Sequence, residues 1–361
     1  MDILLLLLLF CTAPIGLVIW SGYRLSSIFT SSKHAEITFP PHELRLEEVV
    51  LAILTMMLKS IFNKTFGPKL QHDTKVSNEI TLSSPFSINE EDVSRYCQAV
   101  GSLDRTGELP ASALPLFLSA VTEPAMLLLL ASPRCPINAL GAVNVRNRFE
   151  VLRPDLCQPR MFMRSHSAGL VAKVRNGSRK VNRGIEYDLE VAIMVPDQAR
   201  IGGVELIPVF RQIFTMLEFR KTKAVAKPDT AGKNDDAPAT YKADTNPVEI
   251  ALSSNDPLKW AALCKDYNVI HLAGFAAKLF GLPGKLAHGN HIVAKAIQQL
   301  EVDKRMQWRR KEPVFMEVQF KRPVVVPNSL TVHFQQTTSD ERRVSISCGG
   351  RENVIIKVGA M

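Results

Sequence analysis

The first pattern along the chain is a block of apolar residues. Ile3 to Trp20 is almost wholly hydrophobic, and no charge falls between Asp2 and Arg24. As a helix this run is about 27 Å long, just enough to cross a bilayer core. The start carries Asp2 rather than a basic region, and no small-x-small cleavage site precedes Ser21. Arg24 and Lys33 follow the run, which favours leaving the bulk of the chain in the cytoplasm. The expectation is a single N-terminal anchor. The rival is a cleaved signal that delivers the chain to an organelle lumen.

A shorter apolar run, Val49 to Leu58, is bounded by Glu47, Glu48 and Lys59. It is too short to span, so it lies on a membrane or packs on the protein body. From Ser87 the pattern becomes globular. Ser87 as N-cap and Glu90 three residues later predict a capped helix. Ala111 to Ala131 is long and apolar, but Glu123 and Pro124 stand at its centre, which predicts a helix buried in protein. Apolar and polar residues then alternate. Val143, Val145, Phe149 and Val151 mark one strand, and Tyr187, Leu189 and Val191 another. Asn176-Gly177, within Val174 to Arg179, predicts a hairpin turn.

Residues 221–246 hold much Lys, Asp, Ala and Thr with little to bury, which predicts a flexible linker. Asp256-Pro257 then reads as N-cap and first helical residue. Ile292, Val293, Ala296, Ile297 and Leu300 form an apolar stripe, while Lys295, Gln298, Gln299 and Glu301 face away. Alternation returns in Met316/Val318/Phe320, Leu330/Val332/Phe334 and Val344/Ile346/Cys348. Both halves therefore run from short helices to one long apolar helix to an antiparallel meander. That order predicts two copies of one α+β unit, able to join edge to edge into one sheet. The boundaries are 1–24 for the anchor, 25–79 for a juxtamembrane segment and 80–220 for the first unit. The linker covers 221–246 and the second unit 247–361.

Bulk properties narrow the partners. Apolar content of 46% and charged content of 22% are those of a globular protein. The net charge of +9 suits a phosphate-rich cofactor, an acidic carrier protein or a membrane face. No nucleic-acid motif accompanies it, so nucleic acid is not an expected partner. The basic run from Lys304 to Lys311 reads as a solvated face before it reads as a phosphate site. The six cysteines are scattered with no CxxC, which predicts free thiols in a reducing compartment.

Candidate chemistry concentrates between Trp260 and Leu300. Asp266 and His271 offer an acid and a base, and His288-Gly289 opens the apolar helix with amides suited to a developing oxyanion. His288 and His291 are spaced as metal ligands on one helix face, but no third ligand stands at a recognisable spacing, so no metal is expected. Cys264 has apolar neighbours and reads as a packed thiol rather than a nucleophile.

This stretch resembles the MaoC-like dehydratases, the R-specific enoyl-CoA hydratase group. Trp260, Leu263, Asp266, Asn268, Ile270 and His271 match the family's aromatic-x-x-L-S-G-D-x-N-P-[IL]-H pattern, and Ala287, His288 and Gly289 its later A-H-G. Cys264, Lys265, Val269 and Asn290 depart from it. Lys265 stands where glycine is usual, so it is expected to pair with Asp266 or to alter the turn. The resemblance implies a double hot-dog fold, two antiparallel sheets each wrapped around a long central helix. The first half, which lacks D-x-N-x-x-H, would be a degenerate partner housing a long acyl tail.

What the resemblance implies is reversible dehydration of a 3-hydroxyacyl thioester to a trans-2-enoyl thioester, on CoA or an acyl carrier protein. Asp266 and His271 would act on the water, and the Gly289 amide would hold the thioester oxygen. Asn268, His288 and Asn290 are assigned to the substrate side of the site. No cofactor is implied beyond the substrate's own CoA or phosphopantetheine. A homodimer is compatible with the reading. Two alternatives stand beside it: a hot-dog thioesterase, and a non-catalytic acyl-binding or scaffolding membrane protein.

Overall fold

The computed structural model describes residues 19–31, 33–65, 80–102, 108–164, 167–197, 205–219, 246–279, 281–306, 312–338 and 341–361. Most of the expected anchor, all but the last residue of the 221–246 linker and most of the basic run 304–311 lie outside them.

After a short helix α1 (Ser26–Thr30) come β1 (His34–Glu36), the 20-residue α2 (Leu46–Thr65) and β2 (Thr81–Pro85). Helices α3 (Glu90–Val100) and α4 (Leu114–Ala131) precede β3 (Ala142–Val151). A one-turn-and-a-half α5 (Pro159–Arg164) leads to β4 (Gly169–Val174), β5 (Arg179–Val181), β6 (Gly184–Pro196) and β7 (Leu206–Phe219). The second half opens with β8 (Val248–Leu252), then α6 (Asp256–Cys264), α7 (Val269–Leu272), α8 (Gly274–Leu279) and α9 (Gly289–Val302). It closes with β9 (Val314–Phe320), β10 (Asn328–Gln336), β11 (Glu341–Cys348) and β12 (Arg351–Ala360).

The strands join in one sheet of order β1-β2-β4-β6-β7-β3-β9-β12-β11-β10-β8, with β5 also on β6. Each half repeats one order. The strand after the long helix, β3 or β9, takes the inner position, three later strands follow outward (β7-β6-β4 or β12-β11-β10), and the strand before the paired helices, β2 or β8, comes next; in the first half β1 adds a further edge strand beyond β2. The two inner strands pair antiparallel, from Arg146 opposite Gln319 to Val151 opposite Val314. The edge-to-edge joining that the repeated order allowed is present, and the two sheets make one. They fuse because pairing β3 with β9 satisfies two edges that would otherwise present bare N–H and C=O groups.

The long helices are the cores. Among the described residues, Leu114–Ala131 is long and apolar enough to cross a membrane, but 83% of it is buried inside the fold. The stripe on α9, Ile292, Val293, Ala296, Ile297 and Leu300, is buried as its spacing predicted. Between the halves, Tyr96 of α3 meets Phe117 of α4 edge-on and leans on Trp260 of α6. Such aromatic contacts add about 0.5–1.5 kcal/mol each beyond burial.

Local signals shifted in three places. The N-cap of α3 is Asn89, not Ser87. Its side chain accepts from Asp92 N–H, and the Asp92 carboxylate accepts in turn from Asn89 N–H. The polar run Ser87-Ile88-Asn89 offered two capping residues, and Ile88 is drawn into the core. At α6 the cap position falls on Asn255, and Asp256 is the first helical residue. Its buried carboxylate instead accepts from Ser253 and Lys295. Asn176-Gly177 does not join two paired strands. β4 and β5 both pair with β6, so this dipeptide is a break in one edge line, with Gly177 at φ +92°. The chain reverses instead between Val181 and Gly184.

Candidate active site

Helix α6 ends in a left-handed residue, as does its counterpart α3. In α3 that residue is Gly101 at φ 79°. In α6 it is Lys265 at φ 58°, whose N–H closes on Ala261 O at 2.8 Å. The turn that glycine would make is kept at some strain, because an L side chain crowds this region. The Lys265 ammonium does not pair with Asp266. It donates to Ala262 O at 3.3 Å.

The turn delivers Asp266 to the mouth of α7. The Asn268 N–H donates to Asp266 Oδ1 at 3.2 Å, and Asn268 Oδ1 caps α7 by accepting from Ile270 N–H at 3.3 Å. Asn268 therefore holds the loop that carries Asp266 and His271. Val269 takes the first helical position, where proline also fits, so its replacement of proline leaves the turn intact.

His271 sits on α7 with Nδ1 3.0 Å from Leu286 O. A carbonyl only accepts, so Nδ1 carries the hydrogen and Nε2 of the neutral ring carries the lone pair. That lone pair lies 3.9 Å from Asp266 Oδ2. Two acceptors at this distance make no direct bond, but one hydroxyl or water can donate to both. Leu286 is itself held by an N–H bond to Ile270 O and a bridge to Val325, so the imidazole's anchor is rigid.

His288 is buried against this pair. Its ring stacks on His271, centroids 3.8 Å apart and 25° between planes. Its Nε2 donates to the backbone carbonyl of Asp266 at 3.1 Å. Burial, then the neighbouring His271, holds its pKa well below the usual imidazole range, so it stays neutral. It positions Asp266 and adds no charge beside the base. Asp266, His271 and His288 bring ligand atoms within 4.8 Å of one another. With one nitrogen of each imidazole already donating to a carbonyl, His271 Nε2 and Asp266 Oδ2 form a water-handling pair more readily than a zinc cage. His291 stands apart from that cluster. It donates to Ala99 O at 2.8 Å, stacks on Trp260 and has its pKa lowered by burial to about 4.

Gly289 begins α9, and no side chain caps that end, so the first-turn amides point outward. A Cβ on Gly289 would lie 2.5 Å from Phe320 Cε1. The glycine therefore admits the Phe320 ring close to the helix start, a reason for it distinct from room for a thioester. Asn290 turns toward the first half. It is 5% exposed, accepts from Asn147 Nδ2 at 2.7 Å and donates to Ser119 Oγ at 3.3 Å. It ties α9 to both β3 and α4. Cys264 is a buried thiol, its pKa pushed up chiefly by burial.

One group escaped the sequence reading. Glu123 of α4 entered there only as an argument against a membrane span. Burial, then the charge of Asp266, holds its carboxyl well above the usual carboxylate range, and its Oε2 has no hydrogen-bond partner. The residue is half-buried, and its Oε2 is shut off from solvent. The first half thus sends a neutral acid toward the second half's pair. The available signal was a lone charge in the middle of an apolar helix.

Residues 236–358 match the protein family described as MaoC like domain. The chain is 24% identical over 275 residues to 3-hydroxyacyl-thioester dehydratase X of Mycobacterium tuberculosis (strain ATCC 25618 / H37Rv), covering 75% of this chain and 85% of that one. The solved structure of HtdX from Mycobacterium tuberculosis superposes with a TM-score of 0.55 at 20% identity, covering 78% of this chain and 100% of that chain. A MaoC-like dehydratase from Phytophthora capsici gives 0.54 at 16% identity, with 78% and 95% covered. At these identities the structures establish a shared fold.

Proposed function

We propose that this chain, whose residues 236–358 match the MaoC like domain, is a hydro-lyase that interconverts 3-hydroxyacyl and trans-2-enoyl thioesters. The observation that carries the reading is the pairing of a carboxylate oxygen with a bare imidazole nitrogen, Asp266 Oδ2 and His271 Nε2, 3.9 Å apart. In the hydration direction a water donates one hydrogen to each. Its oxygen bonds to C3 as His271 takes the proton. The C2=C3 electrons move toward the thioester carbonyl, and the Gly289 amide holds the resulting oxyanion. The proton on His271 then returns to C2, so the elements of one water are added. Dehydration is the same path reversed.

The similarity to a 3-hydroxyacyl-thioester dehydratase of Mycobacterium tuberculosis supports the same substrate class. The carrier is CoA or an acyl carrier protein, and the substrate brings its own phosphopantetheine. Residues 1–24 anchor the chain in a membrane with its bulk in the cytoplasm, a reading supported by the uncharged run before Arg24.

The test follows the enoyl-thioester absorbance of the full chain on crotonyl-, decenoyl- and longer enoyl-CoA, and on carrier-protein thioesters. Asp266→Asn and His271→Ala are each expected to lower turnover by about 10²-fold or more with the fold intact. Unchanged turnover in both variants would remove the proposed site. No turnover from the folded wild type on either carrier would favour the acyl-binding alternative.

A further inference from the structure

Helix α2 carries a face that a solvated helix would not have. Every exposed residue from position 46 to position 62 is apolar. Leu46, Val50, Leu54, Leu58 and Ile61 form a stripe at four- and three-residue spacing, each about half exposed. The opposite face, Val49, Ala52 and Met56, is buried on the body. Lys59, the cation within this stretch, is turned inward, where its ammonium donates to the carbonyls of Leu130, Ser132 and Cys135. Helix α2 is thereby latched to the end of α4, and its bare stripe has a fixed orientation. Single exposed apolar residues need no explanation, but a continuous stripe does.

We propose that this face of α2 lies in the headgroup layer of a lipid bilayer; the proposal rests on the anchor reading given above. Three observations select lipid as the occupant. The uncharged run up to Trp20 enters the described structure beside α2, because Arg24 meets the buried Glu48 of α2 at 2.7 Å and lies over Phe39. At that entry Ile19, Trp20 and Tyr23 are all more than half exposed. Trp and Tyr favour the water–lipid boundary, so they set the depth at which the run leaves the membrane. The chain's net charge of +9 favours an anionic leaflet. A 20-residue helix about 30 Å long, bearing Glu47 and Glu48 in its first turn, then rests in the membrane plane rather than crossing it.

The experiment uses the full chain with phosphatidylcholine/phosphatidylserine vesicles, some carrying brominated acyl chains. Flotation reports whether the chain is bound. The added emission of a Leu54→Trp variant, taken as the difference from wild type, reports where α2 sits. A face ~5–10 Å deep should show blue-shifted emission quenched at least about two-fold by bromine. A chain that floats while the added emission stays unquenched would overturn the α2 proposal and leave the anchor standing. Residues 1–18 folded back over α2, or a second copy packed there, would give that result. A chain that stays in the aqueous fraction would overturn both.

Discussion

Replacing Gly289 with alanine tests the site through a contact that can be worked from distances. The new Cβ would stand 2.5 Å from Phe320 Cε1 and 2.9 Å from Cδ1 and Cζ. Carbon atoms rest about 3.5–4.0 Å apart, so the ring or the helix start must retreat by roughly 1 Å. Phe320 is paired with Val354 in the β9–β12 ladder, which leaves its side-chain torsions as the main freedom. Overpacking of this kind costs about 1–3 kcal/mol, and exchanging glycine for alanine in a helix offsets up to about 1 kcal/mol. A net loss of about 0–2 kcal/mol is expected, a few degrees in Tm for a chain of this size. The effect on turnover should be larger. The amide remains, but an oxyanion donor displaced by about 1 Å can cost 10²-fold in rate. The assays are enoyl-thioester turnover and thermal unfolding of Gly289→Ala, Phe320→Ala and the double variant. The double variant should recover stability and much of the rate. Wild-type kcat in Gly289→Ala would refute the placement of this helix start at the reacting carbonyl. A double variant no better than the single would refute the steric cause.

Three further outcomes follow from the same geometry. Lys265→Gly should raise stability by about 1 kcal/mol in denaturant titration, because φ 58° costs an L residue and not glycine; a loss would mean the lysine side chain matters more than the turn. Asn290→Ala should lower stability by about 1–3 kcal/mol, since it strands Asn147 and Ser119, while KM stays near wild type; a raised KM with unchanged stability would return Asn290 to the substrate face. Glu123→Gln should be more stable than wild type at neutral and alkaline pH. The raised pKa means the folded state holds a proton the unfolded chain releases, so wild-type stability falls as pH rises from the ordinary glutamate range toward the folded value. Equal pH–stability curves for the two proteins would remove the neutral-acid assignment.

Periodicity revealed the elements better than their ends. The α4 helix and the α9 stripe follow from apolar spacing alone, because those faces had to be buried wherever the helices went. The cap of α3 did not, since Ser87 and Asn89 are chemically alike there and the burial of Ile88 decided between them. The Asn176-Gly177 break shows the same limit: the dipeptide fixes a backbone twist, and only the register of β6 decides what it connects. In the site, the order of residues indicated Asp266 and His271 but not which imidazole nitrogen is bare. That depends on Leu286 O, fifteen residues away. Asn290 and Glu123 were illegible for a related reason. Their partners stand in the other half, and no local pattern records a contact across about 140 residues or more.

The antiparallel pairing of β3 with β9 also bears on how one chain came to hold one such pair. Two identical subunits joined along this seam would carry every feature twice, and any change to one site would appear in both. Within a single polypeptide that constraint is lifted. One half keeps an acid and a base after its left-handed turn, whereas the other places Ser102 after Gly101 and supplies Glu123 and Ser119 instead. Broken symmetry at an unbroken sheet lets the two halves diverge: one carries the Asp266–His271 pair, and the other sets a buried carboxyl near it.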